Sequence, residues 1–297
     1  MAARSEAFFA TPRAGSDSQR YALWHSPVGA AATAVVVYIH PFAEEMNKSR
    51  RMAALQSRAL AHAGCAVLQI DLLGCGDSAR DFGDASWGAW LDDVNAACDL
   101  ALARFNLSWP GQMAPALWLW GLRAGCLLAT ATAARRAEPW NLLLWQPPAS
   151  GKAVLQQFLR LKTLADLQGA DVKAVAEKTR HDLAAGLHVD VAGYRLAPAL
   201  AQGLDQAKLA MPSGQRQVLW AEVSPREGAT LLPVSAAAVD AWRQAGHDVD
   251  AVVVTGPAFW STLEIEDAPA LIQATTQRVA GLQGRMRGQS FDPSVAH

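Results

Sequence analysis

Leu117-Trp118-Leu119-Trp120-Gly121-Leu122-Arg123-Ala124-Gly125-Cys126-Leu127-Leu128 decides the architecture. An apolar run, a turn of small residues and a run rich in Ala and Leu read as strand, tight turn and helix. Glycine at 121 and 125 lets the backbone pack closely on both sides of that turn. The residue at its centre is Arg123, whose guanidinium stays protonated. It can hold an anion but cannot attack a carbonyl.

The same alternation continues outward on both sides. Ala34-Val35-Val36-Val37-Tyr38-Ile39-His40 is a β-branched run without polar alternation, the pattern of a strand buried in a parallel sheet. Glu44 to Ala63 reads as a helix stopped by Gly64, and Ala66 to Asp71 as the next strand. Ser86 is placed to cap a helix through Arg104, with Trp87, Trp90, Leu91, Val94 and Ala97 at helical spacing. The central strand then covers Ala114 to Trp120 and its helix Gly125 to Arg136, followed by a strand at Asn141 to Trp145. Further strands are expected at Gln217 to Val223 and Val249 to Val254, with helices near Val234 to Ala245 and Asp267 to Leu282. Ahead of all these, Ala7 to Trp24 reads as a hairpin turning at Gly15-Ser16-Asp17-Ser18.

This order predicts an α/β fold with a doubly wound, mostly parallel sheet and right-handed crossovers. It breaks between Gln146 and about Pro212, a mainly helical stretch whose clearest helix is Val154 to Leu167. The expected organisation is therefore a core domain, residues 1–145 and 213–297, with a cap or lid insertion at residues 146–212 over the turn. Beyond Gly284 the polar tail is expected to fray.

A hydrophobic content of 51% lets the chain bury a large core, while a net charge of -1 and the lack of a polybasic cluster argue against nucleic acid. Cys65, Cys75, Cys98 and Cys126 are widely spaced without CxxC pairs. That suits reduced thiols in the cytoplasm better than disulfides or a zinc site, and no metal or cofactor is expected. Ala7-Phe8-Phe9-Ala10 is too short for a signal segment, and no run reaches about 18 apolar residues, so no direct membrane insertion is expected.

Three local signals resemble the α/β-hydrolase superfamily over roughly Val35 to Leu282. His40-Pro41-Phe42 sits where many members have an HG-type oxyanion loop. Asp71-Leu72-Leu73-Gly74-Cys75-Gly76-Asp77-Ser78 is similar to the D-x-x-G-x-G-x-S loop, and Gly121 to Gly125 matches the nucleophile elbow G-x-S-x-G except at its centre. The wording from His40 to Arg51, with Asp71 to Asp77 and Gly121 to Gly125, resembles more particularly the exosortase A system-associated hydrolases of the second type. That resemblance implies an α/β-hydrolase fold with a helical cap and a bacterial exosortase, PEP-CTERM and exopolysaccharide setting. An envelope or exopolysaccharide assembly protein is then a possible partner. It also implies structural roles for Asp71, Gly74, Gly76, Asp77, Gly121 and Gly125.

Carried over residue by residue, the family's catalytic set is broken. Arg123 stands for the nucleophile, and Phe259 or Trp260 stands where the histidine should follow the last strand. Glu222 and Glu227 are the acids on offer, without a clean match, and His247 precedes the last strand at the wrong edge of the sheet. A triad needs its base within reach of its nucleophile. Arg123, with His40, Phe42, Leu122 and Trp260 around it, is instead expected to bind a small anionic ligand, because a guanidinium grips carboxylates and phosphates bidentately.

Several alternatives stay open on the sequence. Arg123 could instead pair internally with Glu44, Glu45 or Asp77. His40, Glu44 and Glu45 are candidate catalytic groups for an ester, thioester or acyl-transfer reaction on a substrate anchored by Arg123, yet Glu44 and Glu45 also suit a helix's first turn and His40 can simply brace its loop. Lys48, Arg50 and Arg51 read as an anion site or a solvated basic face, and Cys126 as a buried thiol. The tryptophans of the strands read as core, with Trp260 left for ligand contact. An enzyme with an unfamiliar constellation, a binding module and a structural subunit all remain.

Overall fold

Apolar on both faces, Ala34–Ile39 (β3), Cys65–Ile70 (β4), Ala116–Leu122 (β5) and Asn141–Trp145 (β6) form the centre of an eight-stranded sheet. Ser5–Ala10 (β1) and Arg20–His25 (β2) flank it on one side, and Gln217–Ser224 (β9) and Asp248–Thr255 (β10) on the other. The strand order is β1-β2-β4-β3-β5-β6-β9-β10, antiparallel for the β1–β2 and β2–β4 pairs and parallel everywhere else. The structure is a computed structural model that describes residues 4–12, 18–29, 31–165 and 172–289. The expected hairpin is thus formed by β1 and β2, while residues 15–17 of its turn lie outside the described residues, as do residues 166–167 of the expected helix Val154 to Leu167.

Alternation along the central strands divides the core in two. Val35, Val37, Ile39, Leu119, Leu142 and Leu144 face Trp87–Ser108 (α2), Ala124–Ala133 (α3) and Pro233–Gln244 (α7). Val36, Tyr38, Trp118, Trp120, Leu143 and Trp145 face Glu44–His62 (α1) and Pro269–Gln289 (α8). Strand tryptophans Trp118, Trp120, Trp145 and Trp220 are core residues, each at most 1% exposed. Several boundaries differ from the periodicity: α2 runs on to Ser108 rather than Arg104, α3 stops at Ala133 rather than Arg136, and β5 starts at Ala116 rather than Ala114. β5 runs on through Gly121 to Leu122, because the strand keeps its ladder to β6 up to the Leu122–Trp145 pair. α8 continues past Leu282 to Gln289, so its last turns lie in the stretch expected to fray.

Between β6 and β9 the chain leaves the sheet and forms Gly151–Ala165 (α4), Val172–Ala184 (α5), a hairpin of Val189–Val191 (β7) and Tyr194–Leu196 (β8), and Pro198–Gln206 (α6). The hairpin was invisible to patterning because three-residue strands carry no readable period. Phe158 on α4 packs edge-on against Phe42 at 5.1 Å, and Leu200 and Leu204 on α6 join the buried cluster of α2.

One ion pair inside the core escaped the sequence reading. Arg20 on β2 donates from Nε to Asp93 Oδ2 on α2 at 2.8 Å, and the Leu73 backbone N–H donates to the same oxygen at 2.7 Å. Both side chains are buried, at 5% and 2% exposure for the two residues. Burial pushes the Asp93 carboxyl above the ordinary range, and the bonds from Arg20 only partly offset that.

Candidate functional site

Register brings the carboxyl ends of β3, β5 and β6 level, with Ile39 beside Gly121 and Leu122 beside Trp145. Arg123 is the single residue between β5 and α3, at φ 53° and ψ -122°. Its N–H donates to Trp145 O at 2.9 Å and its carbonyl accepts from Cys126 N at 2.9 Å. A Cβ on Gly125 would lie 2.2 Å from Ile39 O and 2.8 Å from His40 O, so the turn closes only with hydrogen there. Gly125→Ala is therefore expected to cost about 1–3 kcal/mol through overpacking, read as a lower denaturation midpoint. An unchanged midpoint would show that the β3 backbone yields. Ala43, which joins the β3 loop to α1, adopts nearly the same geometry, φ 50° and ψ -125°.

The Arg123 side chain is enclosed by three elements. Nε and Nη2 each donate to Glu45 Oε1 at 3.2 Å, and Nη2 also donates to Gln157 Oε1 of α4 at 2.9 Å. The guanidinium carbon lies 5.7 Å from the Trp260 ring centre, within cation–π range. No hydrogen bond from Nη1 is found among the described residues. The pair is largely withdrawn from water, with side chains 14% and 9% exposed. Burial pushes Glu45 above the ordinary carboxylate range, and the charge and hydrogen bonds of Arg123 pull it partly back. Glu45 Oε2 is buried without a partner among the described residues, as is Glu44 Oε2, and burial raises Glu44 too. The crevice among Phe42, Glu44, Glu45, Val154, Gln157 and Phe158 holds about 10 Å³, the room of one water at most.

The loop residues brace this arrangement. His40 is buried; its Nδ1–H donates to Pro41 O at 2.7 Å and its Nε2 accepts from Leu72 N at 3.2 Å. With both ring nitrogens on backbone and burial holding the imidazole below its usual pKa, His40 is neutral and has no nitrogen left to move a proton. Asp71 Oδ2 accepts from Arg50 Nη2 at 2.9 Å and from Asp77 N at 3.1 Å. Gly76 makes room for this at φ 55°, where a Cβ would sit 2.0 Å from that oxygen. Asp77 is thus not the partner of Arg123. Arg50 and Arg51 are not a free basic face either, since Arg51 grips Asp267 through Nε and Nη2. Cys126 is buried, donates weakly to Gly121 O at 3.1 Å, and burial drives its thiol far above the usual range.

After β10, Phe259 is fully buried and Trp260 is 6% exposed, so the loop that was expected to offer an aromatic to ligand closes on Arg123 and the α1–α8 core. His247 lies at the start of β10, the far end of the sheet, packed on Trp242. Phe42 and Leu122 are core, at 2% and 1% exposure. Of the residues expected to meet a ligand, Arg123 alone borders the cavity beside the turn, which measures about 390 Å³ between the β6–α4 loop, α4, β9 and α7. Trp220, Trp242 and Glu222 line the same cavity. Gln157 carried no recognisable signal in the sequence; it matters only because α4 folds back over the turn. A larger groove of about 740 Å³, between β1 and α2, contains none of these residues. Among the described residues no cluster suited to a metal ion occurs, and no helix is long and apolar enough to cross a membrane.

The architecture is shared with solved esterases and lipases. Est1E of Butyrivibrio proteoclasticus, with ferulic acid bound, superimposes with a TM-score of 0.64 at 16% identity, over 94% of this chain and 98% of that one. A soluble variant of monoglyceride lipase from Saccharomyces cerevisiae, in complex with a substrate analogue, gives 0.60 at 12% identity over 94% and 95%. A thermostable carboxyl esterase from Bacillus coagulans gives 0.59 at 14% identity over 95% and 98%. No protein-family model matches the sequence, and no curated protein is detectably related to it. At such identities the likeness establishes the α/β-hydrolase fold alone.

Proposed function

We propose that this chain uses the α/β-hydrolase fold for recognition: serine-esterase chemistry is lost, and Arg123 holds a small anionic ligand, or an acidic group of a partner, beneath a cap formed by residues 146–212. The guanidinium at the centre of the turn carries the reading, since it supplies charge where ester hydrolysis needs a nucleophile. Glu45 and Gln157 fix its plane, while Nη1 and the adjoining 390 Å³ cavity leave it a side on which an acid could bind. The alternative of a hydrolase built on His40, Glu44 and Glu45 is weakened by the engagement of both His40 nitrogens. Resemblance of His40 to Arg51 to the exosortase-associated hydrolases supports an exopolysaccharide assembly setting for the ligand or partner. Cys75, Cys98 and Cys126, buried as free thiols, support a reducing compartment, the cytoplasm.

The test is hydrolysis of 4-nitrophenyl butyrate. The protein is expected to give no turnover above buffer, and Arg123→Ser alone is expected to give none, because an unactivated hydroxyl has no base to take its proton. Turnover by the unaltered protein that disappears in the Arg123→Lys variant would overturn the reading in favour of an unfamiliar hydrolase.

A further inference from the structure

We propose that the cavity beside the turn takes a small zwitterion, its ammonium group on Glu222, its acidic group on Arg123, and an apolar linker along the wall between them. This rests on the anion-recognition reading and adds the opposite charge. Glu222 lies on β9 and is 4% exposed. Its Oε1 accepts from the Trp220 indole N–H at 2.9 Å. Its Oε2 has no hydrogen-bond partner among the described residues, and no described Lys, Arg or His forms an ion pair with the carboxylate. A carboxylate withdrawn from water is costly without a cation, and the described residues supply none. An ammonium group entering from the cavity satisfies that oxygen and cancels the charge.

The rest of the cavity limits the ligand further. Among the described residues Arg123 and Glu222 are its only ionisable side chains, and they carry opposite charge. Trp220, Trp242, Pro147 and Leu209 give the wall apolar surface, with Gln146, Gln157 and Ser235 as its neutral polar groups. Its volume of about 390 Å³ falls in the range of small-molecule sites. A ligand with two charged ends and a methylene body fits that distribution, whereas a plain fatty acid leaves Glu222 unpaired and a plain amine leaves Arg123 Nη1 unused.

Isothermal titration of the full chain with 4-aminobutanoate, 6-aminohexanoate and 8-aminooctanoate, against hexanoate and hexylamine, tests the proposal. At least one of the amino acids is expected to bind about tenfold or more tighter than either singly charged probe. Glu222→Gln, which keeps an acceptor for Trp220, is expected to reduce that binding to the hexanoate level. No amino acid binding tighter than hexanoate, or no effect of Glu222→Gln, would overturn the zwitterion. Hexanoate binding that is lost in Arg123→Ala/Glu45→Gln would then leave anion recognition standing. Binding of hexylamine alone, sensitive to Glu222→Gln, would overturn anion recognition and the zwitterion together, leaving only the cation seat on Glu222.

Discussion

Arg123→Ala is expected to lose about 3–5 kcal/mol of folding stability at neutral pH, because it strands a buried carboxylate rather than merely removing a contact. Glu45 is 7% exposed and Arg123 is its only ion-pair partner among the described residues. Glu45→Gln added to Arg123→Ala should restore most of the loss, since a neutral amide tolerates the site. The deficit should also depend on pH. Burial already raises the Glu45 carboxyl in the folded protein, and without Arg123 the opposing pull disappears, so it rises further. A carboxyl raised on folding contributes stability below its unfolded value, about 4.3, and loses it as pH climbs through the folded value. The variant should therefore approach the parent in mild acid and fall away from it toward neutrality. Urea midpoints of the three proteins across that span measure this. A loss that ignores pH, or no rescue by Glu45→Gln, would show that Arg123 stabilises through packing on Trp260 instead.

Asp93→Ala should be equally damaging, by about 3–5 kcal/mol, at a place with no part in recognition. It leaves the Arg20 guanidinium, 5% exposed, without its carboxylate and the Leu73 N–H without its acceptor. Arg20 Nη1 would keep its bonds to Ser18 and the Gln19 carbonyl, which hold the charge in place rather than releasing it to water. Asp93→Asn, still an acceptor, should lose clearly less. Chemical denaturation of both variants decides it: equal losses would mean that the charge, rather than the hydrogen bonds, carries the pair.

The difference between these two arginines shows what the sequence could reveal. Arg123 was legible because a strand, two glycines and a helix frame it, so its place in the fold followed from local pattern. Arg20 and Asp93 stand 73 positions apart in segments that read as an ordinary strand edge and an ordinary amphipathic helix, and only the β2–β4 pairing brings them together. Glu45 was visible as one of three partners for Arg123; that it rather than Asp77 is chosen depends on how α1 leaves β3, a turn no propensity describes. The cavity was hidden for a similar reason. Its walls come from the β6–α4 loop, α4, β9 and α7, and Trp220 looked like core because it is core, with Glu222 seated beside it.

The matching geometry of Ala43 and Arg123 bears on how backbone strain is interpreted. A non-glycine residue at positive φ costs on the order of 1–3 kcal/mol, and such outliers are commonly taken as marks of catalysis. Here one of the two carries a methyl group and nothing else, so no reaction can be its reason. Each is the last residue before the helix that follows a parallel strand, after a four-residue connection from β3 and a one-residue connection from β5, on neighbouring strands of the same edge. The strain thus belongs to the chain's route over the sheet rather than to the side chain mounted on it. Geometry of this kind reports the path of the backbone, and what the turn can do chemically has to be decided by the atoms at its tip.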